Sequence, residues 1–302
     1  MLRYEDRDYH DASTLRGMRW PAVSDASAER RLNVDRAFPR LRCCLSCCAA
    51  LCSGVTNPPY TLTLLGGLDL KGPSGSENAL LVQSKVVGML AYLSLPSIGR
   101  FVRRDLLAAL FWPELDQERA RKAVRQSIHA ARATLGAEAL PGRGNEEVAL
   151  SAVHVRCDAT AFGEAADSGM LLEALRLYGG ELLPGFHVPD CAEFDRWLED
   201  ERAAARERAA AATWALAQRL ESDNQLSNAA AMARRSVRLM WTDERALRRA
   251  LAMLERLGDR AGAARLYDEF ATRLMAELDV HPSDETARLM ARIRGDVDSP
   301  RV

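Results

Sequence analysis

The segment Asp116–Leu135, DQERARKAVRQSIHAARATL, decides the fold. Ala120, Val124, Ser127, Ile128, Ala131 and Leu135 recur at three- and four-residue spacing, which makes one apolar stripe along a helix. Lys122, Arg125, Gln126 and His129 fall on the opposite side, flanked by Arg119, Arg121 and Arg132. RRDLLAALFW, from Arg103 to Trp112, reads as a second helix just before it, and Pro113 marks the break between the two. A short helix, a turn and a basic helix follow the order of helix-turn-helix DNA readers. An ordinary surface helix with a solvated charged face gives the same local pattern, so the neighbouring segments must decide.

Those neighbours alternate between strand and helix signals. YTLTLLGGLDL (Tyr60–Leu70) places Leu62, Leu64, Leu68 and Leu70 in near alternation, a strand pattern that Gly66-Gly67 interrupts as a bulge or turn. KGPSGSEN is loop by composition. In LLVQSKVVGMLAYLSL, Val86, Leu90 and Leu93 line one face of a helix that ends before Pro96. Beyond Gly136, two short apolar strands, Ala139–Pro141 and Val148–Leu150, flank the tip Gly142-Arg143-Gly144-Asn145. A glycine-rich hairpin tipped by one arginine has the form of a wing. Two roles stay open for Arg143: entry into a narrow minor groove, where the negative potential is enhanced, or simple solvation in the turn.

Composition sets the outer bounds. At 302 residues the chain has room for about two domains, and its 48% hydrophobic and 27% charged content fits a globular protein. No apolar run reaches the roughly 18 residues that span a bilayer, so no membrane partner is expected. The net charge of −1 hides an uneven distribution. Arg100–Arg132 carries eight Lys/Arg against four Asp/Glu, a net of +4. Ala159–Arg294 carries 19 Arg, no Lys and 23 Asp/Glu, a net of −4. A basic middle and an acidic helical half suit a nucleic-acid module joined to a protein-facing one. Two unremarkable domains would show the same split.

Five of the seven cysteines cluster at positions 43, 44, 47, 48 and 52, while Cys157 and Cys191 stand alone. The cluster has CxxxC spacings but no nearby histidine and no second ligand pair, so it makes a poor zinc site. An odd cysteine count without framework spacing favours a reducing cytoplasm. Residues 1–57 are irregular in composition and are expected to be a disordered leader, and residues 296–302 a flexible tail.

From Tyr60 to about Arg294 the chain resembles the SARP-type (antibiotic regulatory) bacterial transcriptional activators. The resemblance rests on LLGGLDL, LLVQSKVVGMLAYLSL, RRDLLAALFWPELDQERARKAVRQSIHAARATLG and EEVALSAVHVRCDATAF. GMLLEALRLYGGELLPGF and CAEFDRWLEDERAAARERA extend it into the second half. That family pairs an OmpR/PhoB-like winged helix with a bacterial transcriptional activator domain. The resemblance implies a mainly α protein: a winged helix-turn-helix of three helices with small sheets and a wing at 58–158, then an all-α tetratricopeptide-like domain at 159–295. It also implies that the basic helix enters the major groove. There Arg and Lys bridge guanine O6 and N7, and Gln pairs with adenine N6 and N7. Lys122, Arg125, Gln126 and His129 are the expected base readers, His129 with a bystander role equally open. Arg119, Arg121 and Arg132 are divided between bases and backbone. Arg103 stands where many relatives carry a small capping residue, which weakens the cap but adds a charge near the DNA backbone.

The second half shows a repeat. Ala229, Ala233 and Val237 line up with Ala263, Tyr267 and Ala271, and Asn224 with Gly258, each pair 34 positions apart. That is the tetratricopeptide period, in which small residues let paired helices approach and stacked pairs share one core. Met240-Trp241 replaces the proline usual between such repeats. Tyr178, Phe186, Phe194 and Trp197 read as core anchors rather than as a ligand box.

No phosphate loop, nucleophile elbow or HExxH motif is present, and the five histidines are dispersed. The expectation is therefore a non-enzyme without cofactor or metal. It would be a cytoplasmic activator, nucleoid-associated when bound, whose partners are promoter direct repeats, RNA polymerase and further copies of itself. The alternative is an adaptor that works through its repeats, with a winged helix that no longer binds DNA.

Overall fold

The computed structural model describes residues 58–295 except 74, 76, 77 and 96; the leader expected at 1–57 and the tail at 296–302 lie outside the described residues. Strand β1 (Tyr60–Thr63) and strand β2 (Asp69–Lys71) form an antiparallel hairpin with Leu62 opposite Leu70. Gly66-Gly67 lies in its turn, as the interrupted alternation suggests. Helix α1 (Asn78–Leu81) is a single turn. Helix α2 (Ser84–Ser94) buries Val86, Val87, Met89, Leu90, Ala91 and Leu93, a wider face than the predicted stripe because elements pack on several sides of it.

The short strand β3 (Val102–Arg103) leads into helix α3 (Arg104–Phe111), and helix α4 (Gln117–Leu135) follows. Asp116 caps α4 by accepting the Arg119 amide at 2.9 Å. The buried residues of α4 are the six of the predicted stripe: Ala120, Val124, Ser127, Ile128, Ala131 and Leu135.

The wing differs in detail from the sequence expectation. Ala137–Ala139 is a 3-10 turn rather than strand, and the paired strands lie nearer the tip: β4 (Gly142–Arg143) and β5 (Glu147–Val148), in the order β3-β5-β4. Backbone bonds from Ala149 to Pro141 (3.0 Å) and from Ser151 to Ala139 (2.9 Å) continue the hairpin below the named strands. The apolar side chains there are buried in the core, which explains why they read as strand. Strand β6 (Val155–Cys157) then returns to lie parallel to β1, completing the sheet β2-β1-β6.

Seven helices follow: α5 (Asp158–Asp167), α6 (Leu171–Leu177), α7 (Ala192–Ser222), α8 (Leu226–Leu239), α9 (Glu244–Arg256), α10 (Arg260–Leu278) and α11 (Asp284–Arg294). One hydrophobic cluster runs from Leu62 to Ala209, so the 58–158 and 159–295 segments share a core where they meet. Phe194 is fully buried against Phe111, with ring centroids 4.9 Å apart; Trp197 stacks near Phe194 (5.3 Å) and Tyr92 (4.8 Å). This approach needs Gly88 on α2, where a Cβ would lie 2.8 Å from Phe111 and 3.1 Å from Phe194. The anchors are core residues, as expected, but several of them hold the helical half against the winged helix.

Residues 179–190 strap the two halves together. Leu183 donates its amide to Leu64 O at 2.7 Å, and Gly66 donates to Glu181 O at 2.8 Å. The buried Arg202 of α7 donates to the carbonyls of Leu182, Leu183 and Phe186 and so pins the strap. Asp158 accepts the amides of Leu64 (2.8 Å) and Leu65 (3.1 Å). Burial pushes its carboxyl above the usual aspartate range, against the pull of those amides.

The 34-residue repeat is visible in the backbone. Asn224 (φ +57°) and Gly258 (φ +75°) both sit in the left-handed region after α7 and α9. Gln225 donates to Leu220 O (2.8 Å) and Asn224 to Glu221 O (3.0 Å); Asp259 donates to Leu254 O (2.9 Å) and Gly258 to Glu255 O (3.0 Å). These are two Schellman caps in register, so the repeat extends to individual hydrogen bonds. Ala229, Ala233 and Val237 are buried, whereas Tyr267 and Ala271 are only half-buried, since α10 has less chain stacked beyond it. Glu221–Arg256 (3.1 Å) and Glu255–Arg292 (3.2 Å) link successive helix pairs in the same way.

Removing the Asp158 carboxylate should leave two inward-facing amides without acceptors. Asp158→Ala is expected to lower unfolding stability by about 1–3 kcal/mol per orphaned amide, and Asp158→Asn by less, as read from denaturant melts.

Candidate nucleic-acid interface

The outer face of α4 is set by what its inner face buries. With the six apolar residues turned into the core, Arg119, Arg121, Lys122, Arg125, Gln126 and His129 are exposed. They divide by what holds them. Arg121 makes a two-pronged pair with Asp105 of α3 (2.8 and 3.0 Å), which locks the two helices of the turn motif together. The Arg121 guanidinium holds the Asp105 carboxyl below the usual range. Arg119 pairs with the cap residue Asp116 at 3.2 Å. Arg132 is half-buried and donates through Nε (3.0 Å) and Nη2 (2.6 Å) to Leu140 O, tying α4 to the root of the wing.

Lys122 and Arg125 have no carboxylate within ion-pair distance among the described residues, and neither Gln126 nor His129 has a side-chain partner there. These four form an open polar strip two turns long. The described residues thus separate the expected set into four uncommitted side chains and three that also build the scaffold.

The two remaining candidates flank the strip. Arg103 is exposed on β3, opposite Glu147 of β5, and makes no capping bond to α3. That agrees with the expected loss of a side-chain cap. Arg143 is exposed on β4 at the wing tip, and its guanidinium lies over the Phe101 ring at 3.8 Å, with Glu147 at 3.9 Å. Phe101 therefore orients the wing arginine, a role that sequence spacing did not reveal because 42 positions separate the two. Arg104 was also missed. Its amide donates to Glu146 O at 2.8 Å, and its side chain reaches the wing root beside Arg132 and Gly142.

Elsewhere the described residues hold no group of three or more His, Cys, Asp or Glu able to take a metal ion. Cys157 is buried and its thiol is pushed up to about 11; Cys191 is buried against Phe111 O. His154 bonds Ser151 at 3.1 Å within the turn before β6. No helix among the described residues is long and apolar enough to cross a membrane.

Residues 147–294 match the family model described as the bacterial transcriptional activator domain. The solved structure of Mycobacterium tuberculosis EmbR in complex with a low-affinity phosphopeptide is similar to this chain at 19% identity and a TM-score of 0.50. The match covers 79% of this chain and 65% of that one, so this chain spans just under two thirds of that relative's length. No curated protein matches. Residues 147–294 thus carry a bacterial transcriptional activator domain, and the fold is one shared with that solved structure. That match supports the resemblance to the SARP-type transcriptional activators seen in the sequence.

The two faces of α4 should respond oppositely to truncation. Ile128→Ala removes a side chain that is only 2% exposed and is expected to cost about 2–5 kcal/mol of stability. Lys122→Ala should leave the thermal midpoint unchanged.

Proposed function

We propose that this activator reads a repeated promoter element with α4 in the major groove. Lys122 and Arg125 would bridge guanine O6 and N7, Gln126 would pair with adenine, and His129 would contact a base edge or a bridging water. Arg119, Arg121, Arg132 and Arg103 supply positive charge along the margins, near phosphates, where contacts fix register and add salt-dependent affinity. The wing would place Arg143, stacked on Phe101, against the adjacent minor groove.

The observation that carries this reading is the uncommitted strip. An ordinary solvated face gives no reason for Lys122 and Arg125 to lack carboxylate partners while Arg119 and Arg121 on the same helix are paired. The helical half, by contrast, is laced with Arg–Glu and Arg–Asp pairs, which makes the strip distinctive within the same chain.

The helical array would then hold neighbouring protomers on direct repeats and contact RNA polymerase. Head-to-tail repeats require spacings near whole turns of DNA, because each protomer must present the same face.

The test is binding of the full chain to fragments of its own genomic neighbourhood across a salt series. Each good bidentate base contact is worth about 1–3 kcal/mol, so Lys122→Ala with Arg125→Ala should weaken binding to the protected element by at least about tenfold. Equal weak binding to every fragment, untouched by the double substitution, would point instead to an adaptor that uses only its repeats.

A further inference from the structure

At the root of the wing, two arginines from different elements close on one small space. A Cβ built on Gly142 would lie 3.2 Å from Nη2 of Arg104, 3.3 Å from Glu147 O and 3.4 Å from Nη2 of Arg132. The glycine thus leaves open the gap that both guanidiniums border. Neither arginine has a carboxylate within ion-pair distance among the described residues. Arg132 spends its donors on the neutral carbonyl of Leu140, which leaves its charge uncompensated. The Nε–H of Arg104 is buried and meets no acceptor.

Electrostatics agree with the geometry. Arg104 is pushed below the usual guanidinium range first by burial, then by repulsion from Arg132 and Arg125, and the exposed Glu146 only partly offsets this. Like charges brought together without a counterion oppose folding. An anion from outside would relieve both the repulsion and the unpartnered Nε–H.

We propose that Arg104 and Arg132, in the field of Arg125, form a seat for one DNA backbone phosphate beneath the wing. The inference rests on the DNA-reading proposal and adds to it a residue outside the base-reading strip. A phosphodiester suits the seat because guanidinium forks match tetrahedral phosphate oxygens and are weakly hydrated. The position also suits a backbone contact. Arg104 begins α3, the helix that precedes the reading helix, and its amide is fixed to the wing through Glu146 O. A phosphate held there would clamp α3, α4 and the wing onto one strand. It would set register without reading sequence.

The experiment uses the full chain with two duplexes, the protected promoter element and a scrambled duplex of equal length, titrated from about 50 to 200 mM salt. Arg104→Met should weaken both duplexes by the same factor. It should also lower the salt slope by about one unit, the loss of a single phosphate contact. Arg104→Lys should restore most of the slope. Gly142→Asp gives an independent check, because it places a carboxylate between the two guanidiniums and occupies the seat from within. That variant should bind both duplexes more weakly while keeping a cooperative melt well above the assay temperature, a combination that loss of folding does not produce.

An unchanged slope in Arg104→Met and unchanged binding in Gly142→Asp would overturn the seat while leaving the reading helix intact. A shift in base preference would overturn it too, by making Arg104 a base reader. If the parent protein shows no salt-dependent DNA binding at all, both the seat and the DNA-reading proposal fail.

Discussion

The packing of Phe194 against Phe111 across Gly88 determines how the rest of this molecule is arranged. Phe194 lies near the start of a 31-residue helix, α7, whose two ends do different work. Its first turns, through Phe194, Leu198 and Arg202, bury against the winged helix and the strap. Its last turns, from Ala209 to Leu220, form the first wall of the helical array against α8. At 1.5 Å per residue such a helix runs about 46 Å, so one rigid rod enters both cores. Tight packing at its root leaves little freedom for one half to turn against the other. The strap adds backbone bonds at Leu64, Gly66 and Leu183, and Asp158 adds two more.

Much of this was legible in the sequence wherever a pattern repeats locally. The stripe on α4 runs for about four turns at helical period, and a core-facing helix has few other ways to satisfy it. The tetratricopeptide period was legible for a different reason. Small residues at Ala229 and Ala263 mark close helix approach, while Asn224 and Gly258 mark positions that must leave the right-handed helix region. The structure carries that equivalence to matched caps and matched ion pairs. The wing strands were displaced by one to three residues because apolar content reports burial, whereas pairing depends on the turn.

What the sequence concealed is non-local. Phe101 orients Arg143 from 42 positions away, and Arg104 meets Arg132 and Gly142 only once α3, α4 and the wing have folded together. No spacing rule connects those positions. The division of the α4 arginines was equally hidden. Arg121 and Lys122 are neighbours in sequence and both exposed, yet one is clasped by Asp105 and the other has no ionic partner among the described residues. Charge periodicity places side chains on a face but does not say which are already engaged.

The same division bears on how a regulator of this class can couple DNA to its second half. Arginines that build scaffold and arginines left free lie on one helix, so the free ones inherit their positions from the bonded ones. Arg121 fixes α4 to α3, α3 presents Phe111 to Phe194, and Phe194 fixes the direction of α7. A displacement of α4 by a bound duplex would therefore be resisted by, and passed into, the helix that begins the array. With no loose linker in that chain of contacts, the array's exposed faces take a set direction relative to the reading helix. Under the proposed function, the spacing of promoter repeats and the site of polymerase contact are then two consequences of one rigid junction. Loosening that junction would separate DNA affinity from activation, because under the proposed function the first depends on α4, the wing and the start of α3 and the second on where α7 points.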